Sequence, residues 1–344
     1  MFNPVTATCG VCGSGCLYPN DFFTIPGGLD VLVGLLSGQI EVSAHMCDGT
    51  TQTGWECSCS FASNNTAVAT VNPDCVQQAT GIGPGATALI GTGAGVPGPH
   101  CGEQTLLATC DIQVRPRIDN ISPAVGTPGS SESVTVNGAG FGADSFMSAS
   151  NNGISIVITN IASANQVAAT FQTSFSTAAG GYQVTLSSNG QTSNPVTFTV
   201  RVPDHLLVIS DTGQSLVLGN CAQGAPIVRQ ITFQVVDSGG NAVGVVPVKE
   251  NFTSLSNNSC GNGQPQPDGC SNTDGSSSNF TDTISVRCNT TNGSCGYTIT
   301  DQWQWCPSGG ASVTLATLNE TVHVDQITVN GNTAGFAAGT AIRP

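Results

Sequence analysis

Charge is scarce in this chain. Only 8% of its 344 residues are Asp, Glu, Lys or Arg, against about 25% in an ordinary soluble domain. Lys249 is the only lysine. Exposed helices are surfaced with Glu, Lys and Arg, so this composition argues against a helical architecture. The 7 basic residues stand against 21 acidic ones, a net charge of −14. That balance argues against nucleic acid and anionic membrane surfaces as partners, since both require clustered Lys and Arg. Long apolar runs are missing too. The densest, Val31 to Leu36, contains Gly34 and falls far short of the roughly 20 residues that cross a bilayer. No membrane insertion is expected. Met1-Phe2-Asn3-Pro4 has neither the basic nor the apolar region of a secretory leader.

Groups that do chemistry are equally scarce. The four histidines, His45, His100, His205 and His323, each stand alone in sequence. There is no G-x-S-x-G elbow and no H-E-x-x-H pair. Gly93-Ala94-Gly95-Val96-Pro97-Gly98 fits G-x-G-x-x-G, but it contains proline and no helical pattern follows, so it reads as a turn. No catalytic residue and no cofactor is assigned, and the chain is expected not to be an enzyme.

Gly, Ser, Thr, Asn and Ala fill the space left by charge, and Val, Ile and Phe recur in alternation throughout. That mixture favours strands joined by Gly, Asn and Pro turns over disorder. The expected class is all-β.

Fifteen cysteines in such a chain point to an oxidising compartment. Nine precede residue 111: Cys9, Cys12, Cys16, Cys47, Cys57, Cys59, Cys75, Cys101 and Cys110. Six follow residue 220: Cys221, Cys260, Cys270, Cys288, Cys295 and Cys306. Disulfides are the default role for all of them. Six close as three bridges, but nine leave one over, and the cluster Cys9, Cys12 and Cys16 is the expected home of the odd thiol. Cys9-x-x-Cys12 lacks the second pair and the nearby histidine that a zinc site needs.

Two side-chain groups merit a ligand reading. Asp268, Asn272, Asp274 and Asp282 offer oxygen atoms of the kind calcium takes, without the spacing of an EF-hand. Hydrated turn residues are the plainer reading. Trp303 and Trp305 flank Gln304 and so share one face of a strand, where exposed rings would stack on sugars and buried rings would pack a core near Cys306.

Two prolines mark the joints. Val114-Arg115-Pro116 and Val200-Arg201-Val202-Pro203 each end an alternating strand and begin another, which suits a short, stiff link. Between them come Ile121-Ser122-Pro123, Val134-Thr135-Val136, Gly138-Ala139-Gly140-Phe141 and Gly181-Tyr182-Gln183-Val184-Thr185. Asn189-Gly190 stands where a type I′ hairpin turn belongs. This stretch, 116–202, resembles the IPT/TIG domain, which implies an immunoglobulin-like sandwich. Upstream, Ser63 to Val71 followed by Thr80 to Ile90 resembles the second group of bacterial Ig-like domains over 27–115, each run standing as one strand. Downstream, Ile231 to Val243 with Asp237-Ser238-Gly239-Gly240-Asn241 is similar to invasin-type repeats over 203–330, which implies a hairpin returning toward Val248.

The expected organisation is therefore three tandem immunoglobulin-like β-sandwiches. A cysteine-rich segment, 1–26, precedes them and a weakly patterned tail, 331–344, follows. The resemblances imply a bacterial cell-surface or extracellular protein. The partner expected first is a second copy of the chain, in a filament, sheath or stalk. A glycan or cell-surface ligand, bound by an adhesin or carbohydrate module, is the alternative, with the Cys47–Cys59 and Asn257–Asn279 loops as further surfaces.

Overall fold

The computed structural model describes residues 19–24, 28–46, 50–54, 59–72, 78–94, 105–211, 226–256, 270–273, 278–287, 295–308, 310–329 and 332–339. Every regular element among them is a β-strand, and the strands build three sandwich-like modules in chain order.

The first module contains β1 (Pro19–Thr24), β2 (Leu29–Leu32), β3 (Leu36–Gln39), β4 (Val42–Met46) and β5 (Thr51–Thr53). It continues with β6 (Cys59–Ser63), β7 (Ala69–Val71), β8 (Gln78–Gly81), β9 (Gly85–Ala94) and β10 (Thr105–Arg115). The principal sheet has the order β2-β10-β9-β6, with smaller sheets β3-β8-β7 and β1-β4-β5 beside it. Alternation along β10 buries Cys110, Ile112 and Val114, which share a core with Val31, Val42, Phe61 and Leu89. Two expectations change here. Residues 19–24 are not part of a separate head, because β1 pairs with β4. The run from Thr80 to Ile90 is two strands in different sheets, and so is that from Ser63 to Val71. Asn65 breaks it: its Oδ1 accepts the Ala67 N–H, and its carbonyl accepts those of Val68 and Ala69.

The second module contains β11 (Arg117–Ser122), β12 (Val125–Gly126), β13 (Ser131–Ala139), β14 (Phe146–Ala149) and β15 (Ile154–Ser163). After these come β16 (Gln166–Thr173), β17 (Gly180–Ser188), β18 (Gln191–Thr192) and β19 (Val196–Val200). Sheets β11-β13-β16-β15 and β12-β19-β17-β14 face one another, with β18 paired to β17. Val134 and Val136 from one sheet meet Val184, Leu186 and Phe198 from the other, and Phe171 touches Phe198 at 5.1 Å between ring centres. A cysteine-free module of this size stands on that core. Asn189 and Gly190 both have positive φ and close the β17–β18 hairpin as their sequence predicts. Gly138 is obligatory, since a methyl group there would overlap the Arg117 carbonyl of the neighbouring strand.

The third module contains β20 (His205–Asp211), β21 (Pro226–Val236), β22 (Pro247–Ser256) and β23 (Ser271–Asn272). It ends with β24 (Asn279–Arg287), β25 (Cys295–Trp305), β26 (Val313–Val329) and β27 (Asn332–Gly339). The sheets are β20-β21-β24 and β23-β22-β25-β26-β27. The hairpin expected after β21 is reduced to one bridge, Val236 to Ala242, after which the chain crosses to the opposite sheet as β22. Asp237 turns it there by accepting the N–H groups of Gly239 and Asn241. The expected tail is a strand as well. β27 pairs with Val322 to Val329 of β26, and Asn330-Gly331 lies between the two. That dipeptide is a hairpin signal in its own right. β26 outruns β25, whose pairing stops at Val324.

Candidate interaction surfaces

Side-chain contacts between the modules gather at two seams. At the first seam Arg115 pairs with Asp30 at 2.6 Å, and Arg117 donates from Nη1 to the Val33 carbonyl at 3.1 Å. Asn189 donates from Nδ2 to the Pro84 carbonyl at 2.7 Å. Asp144 holds Asn189 in place by accepting its backbone N–H and, through Oδ1, the Ser188 hydroxyl. Ala139 packs against the first module's core.

At the second seam Arg201 donates from Nη1 to the Ala242 carbonyl and lies 3.7 Å from Asp237. Partial burial works to raise the Asp237 carboxyl. The N–H groups of Asn241 and Gly239, with Arg201 beside them, outweigh it and hold the group below the usual carboxylate range. Phe175 of the second module rests on Trp305 of the third at 6.0 Å, with Gly310 against the same ring. A cleft of about 300 Å³ lies beside this contact, lined by Thr127, Glu132, Asn272, Trp305 and Pro307 among others. Burial pushes the Glu132 carboxyl up, and a hydrogen bond from Ser130 only partly offsets that. Thr127 Oγ1 and Trp305 Nε1 are buried without a partner, a desolvation cost of about 1–3 kcal/mol each. The second seam is the less well satisfied of the two.

Along the flank of the second module two edge strands lie open. Among the described residues no strand pairs with the outer side of β15 or of β14. Phe146 is 62% exposed and Val157 55% exposed.

An antiparallel two-sheet sandwich with a short β12 crossing to pair in parallel with β19 decides the module type. Residues 116–200 match the IPT/TIG domain. The match spans about a quarter of the chain. A search of curated protein sequences finds no match. Among solved structures, the chain is similar to the Escherichia coli adhesin FdeC at 14% identity, over 86% of this chain and 95% of that one, with a TM-score of 0.24. The Yersinia pseudotuberculosis adhesin InvE aligns at 15% identity over 58% of each chain, TM-score 0.23. Domains 1–6 of the surface layer protein SbsC align at 14% identity over 96% of this chain and 41% of that one, TM-score 0.21. Superpositions this loose carry no functional argument.

The TIG-like module has five charged residues, Arg117, Asp119, Glu132, Asp144 and Arg201. All five sit at its two ends. Arg117 with its partner Asp119, and Asp144 through Asn189, serve the first seam. Arg201 and Glu132 serve the second.

The residues singled out in the sequence fall as follows. Trp303 and Trp305 do share a face, but it is the inner one: they are 5% and 3% exposed. Trp303 packs on Phe233 and Phe280 with ring centres 5.5 and 5.0 Å away. Neither ring is available to a sugar, and the ligand-contact reading of the pair is withdrawn. Asn272 is on β23 and Asp282 on β24, in different sheets. Asp268 and Asp274 lie outside the described residues. Among the described residues no three His, Cys, Asp or Glu side chains cluster as a metal site. Cys270 and Cys306 form a disulfide that ties β23 to the end of β25. Cys110 is a buried free thiol, not a bridge partner. Burial and then Asp111 push its pKa up, so it is a core side chain. The odd cysteine is thus not confined to the first cluster, and an inter-chain bond through Cys110 is barred by burial. Cys9, Cys12, Cys16, Cys47, Cys57, Cys75, Cys101, Cys221, Cys260 and Cys288 lie outside the described residues, and of Cys59 and Cys295 only their place in strands is described. Sequence reasoning missed the seam contacts. The spacing of Arg117 and Arg201, one just beyond each joint proline or just before it, was their available signal.

Proposed function

We propose that this protein is a non-catalytic structural component of a bacterial cell surface or extracellular layer, and that it assembles with further copies of itself. The carrying observation is the placement of charge. The TIG-like module uses its few ionised groups to lock both neighbours, so the chain acts as a jointed strut with an uncharged flank. Burying ions between subunits is costly, and a surface without them packs without that cost. The Cys270–Cys306 bridge fits an oxidising, extracytoplasmic setting. No helix among the described residues is long and apolar enough to cross a membrane.

Negative-stain images and sedimentation of concentrated, unreduced protein test the proposal. Ordered polymers or sheets support it; monodisperse monomers at every concentration refute it. An adhesin or glycan-binding role would have to use surfaces other than Trp303 and Trp305, which are occupied in the core.

A further inference from the structure

The self-assembly reading says that copies meet; the TIG-like module shows where. From Ser145 to Val200 the chain contains no Asp, Glu, Lys, Arg or His. Within that stretch β15 is the outermost strand of its sheet, ten residues long, with neither charge nor proline. Natural edge strands are normally guarded by exactly those residues, or by bulges. β15 does have bulges, but both lie in its second half, between Ile158 and Asn160 and between Ile161 and Ser163. Its first half, Ile154 to Ile158, pairs with β16 in unbroken register, and among the described residues no strand pairs with its other side.

We infer that the Ile154–Ile158 edge of the TIG-like module is a two-fold contact between copies, in which β15 pairs antiparallel with β15 of a second chain about Ile156. This deepens the self-assembly reading and rests on it. The segment Ile154-Ser155-Ile156-Val157-Ile158 is its own complement. Pairing about Ile156 sets Ile154 against Ile158, Ser155 against Val157, and Ile156 against its twin. Ile154 is buried, and Ile156 and Ile158 are packed against the core, so the pairing joins the two cores side by side. Val157 takes the opposite face by strand alternation. β14 is the edge of the facing sheet on the same flank.

Electrostatics selects a second copy as the occupant. An edge with no charge on it complements another such edge. Of the net −14, the TIG-like module contributes only −1, from two basic and three acidic residues. Two chains meeting here therefore bring together the segments that repel least. A contact of a few residues is small, well under about 1,200 Å², and so weak alone. Many such contacts in an array hold by avidity.

The test uses the full chain at high concentration. In the paired geometry directly opposite Cβ atoms are about 5 Å apart, so Ile156→Cys under mild oxidation should yield a 156–156 linked peptide by mass spectrometry. Thr159→Cys, three residues along the same strand, places its twins roughly 20 Å apart and should yield none. Val157→Lys, on an exposed face that leaves folding intact, brings two ammonium groups onto neighbouring diagonal positions. It should weaken dimerisation by at least about tenfold in sedimentation. Polymers that persist in Val157→Lys without a 156–156 link overturn this contact and leave self-assembly standing. Monomers throughout overturn both.

Discussion

Phe175 offers a direct test of whether the second seam couples the modules. It belongs to the TIG-like module, its ring lies on Trp305 of the next module and against Gly310, and it stays 42% exposed with those contacts in place. Replacing an exposed side chain with alanine usually changes its own domain by less than about 0.5 kcal/mol. An aromatic pair at this separation contributes about 0.5–1.5 kcal/mol beyond area burial. Phe175→Ala should therefore leave the TIG-like module nearly unchanged and destabilise the third module by about 1 kcal/mol, a fall of roughly 3–4 °C in its melting temperature. Hydrogen exchange read peptide by peptide separates the two effects: amides of β25 should exchange faster while those of β16 and β17 should not. Trp305→Leu completes a double-mutant cycle, with a coupling energy of about 0.5–1.5 kcal/mol expected. Additive effects within about 0.3 kcal/mol, together with unchanged β25 exchange, would refute a seam that transmits stability.

The remaining expectations concern single groups. Glu132 has a raised folded-state pKa, so its protonated form favours the fold: that contribution is complete below its unfolded value and is lost as pH rises through the folded one. Glu132→Gln should thus raise the melting temperature at pH 7 and change it little at pH 4, by scanning calorimetry. Asp237 shifts the other way, so the stability it adds holds above its unfolded value and is lost as pH falls through the folded one; Asp237→Asn should flatten the acid limb of the same profile. Opening the Cys270–Cys306 bridge, which spans 36 residues, should cost about 4 kcal/mol on the loop-entropy model, measurable as a shift of the urea midpoint in Cys270→Ser/Cys306→Ser. Gly138→Ala forces a methyl group into the Arg117 carbonyl and should cost more than about 2 kcal/mol, read in the same urea experiment.

Period-two alternation made the strands legible. Val134, Val136, Val184, Leu186, Phe198 and Val200 are buried as their spacing predicts, because strand geometry alone assigns a face. Pro116 lies between β10 and β11 and Pro203 between β19 and β20, in each case strands of different sheets. What alternation does not encode is pairing at long range. Nothing in Pro19 to Thr24 announces β4 as its partner, and the Asp237 turn looks the same in sequence whether the chain returns beside β21 or crosses the sandwich. Burial of the tryptophan pair was favoured by the neighbouring Cys306 but not fixed by the sequence. Two aromatics at i and i+2 share a face in either case, and only Phe233 and Phe280, contributed by two other strands, make that face interior.

Scarcity of charge is usually a solubility liability, since surfaces near neutrality associate. This chain confines the liability. Its first and third modules carry nearly all of the net −14, and the middle one carries almost none. Had the acidic residues been spread evenly, every flank would repel its counterpart weakly and none would be preferred. With the repulsion placed at the outer modules and the five central charges drawn into the seams, approach is penalised everywhere except along the TIG-like flank. Register is then set by β15 itself. Its bulges close the second half to pairing, and a shift by one residue would turn the isoleucines of one copy toward the solvent face of the other. Adding charge at Val157 removes the permitted approach, whereas adding it to an already acidic outer module should leave assembly unchanged. That contrast separates a designed contact surface from indiscriminate stickiness.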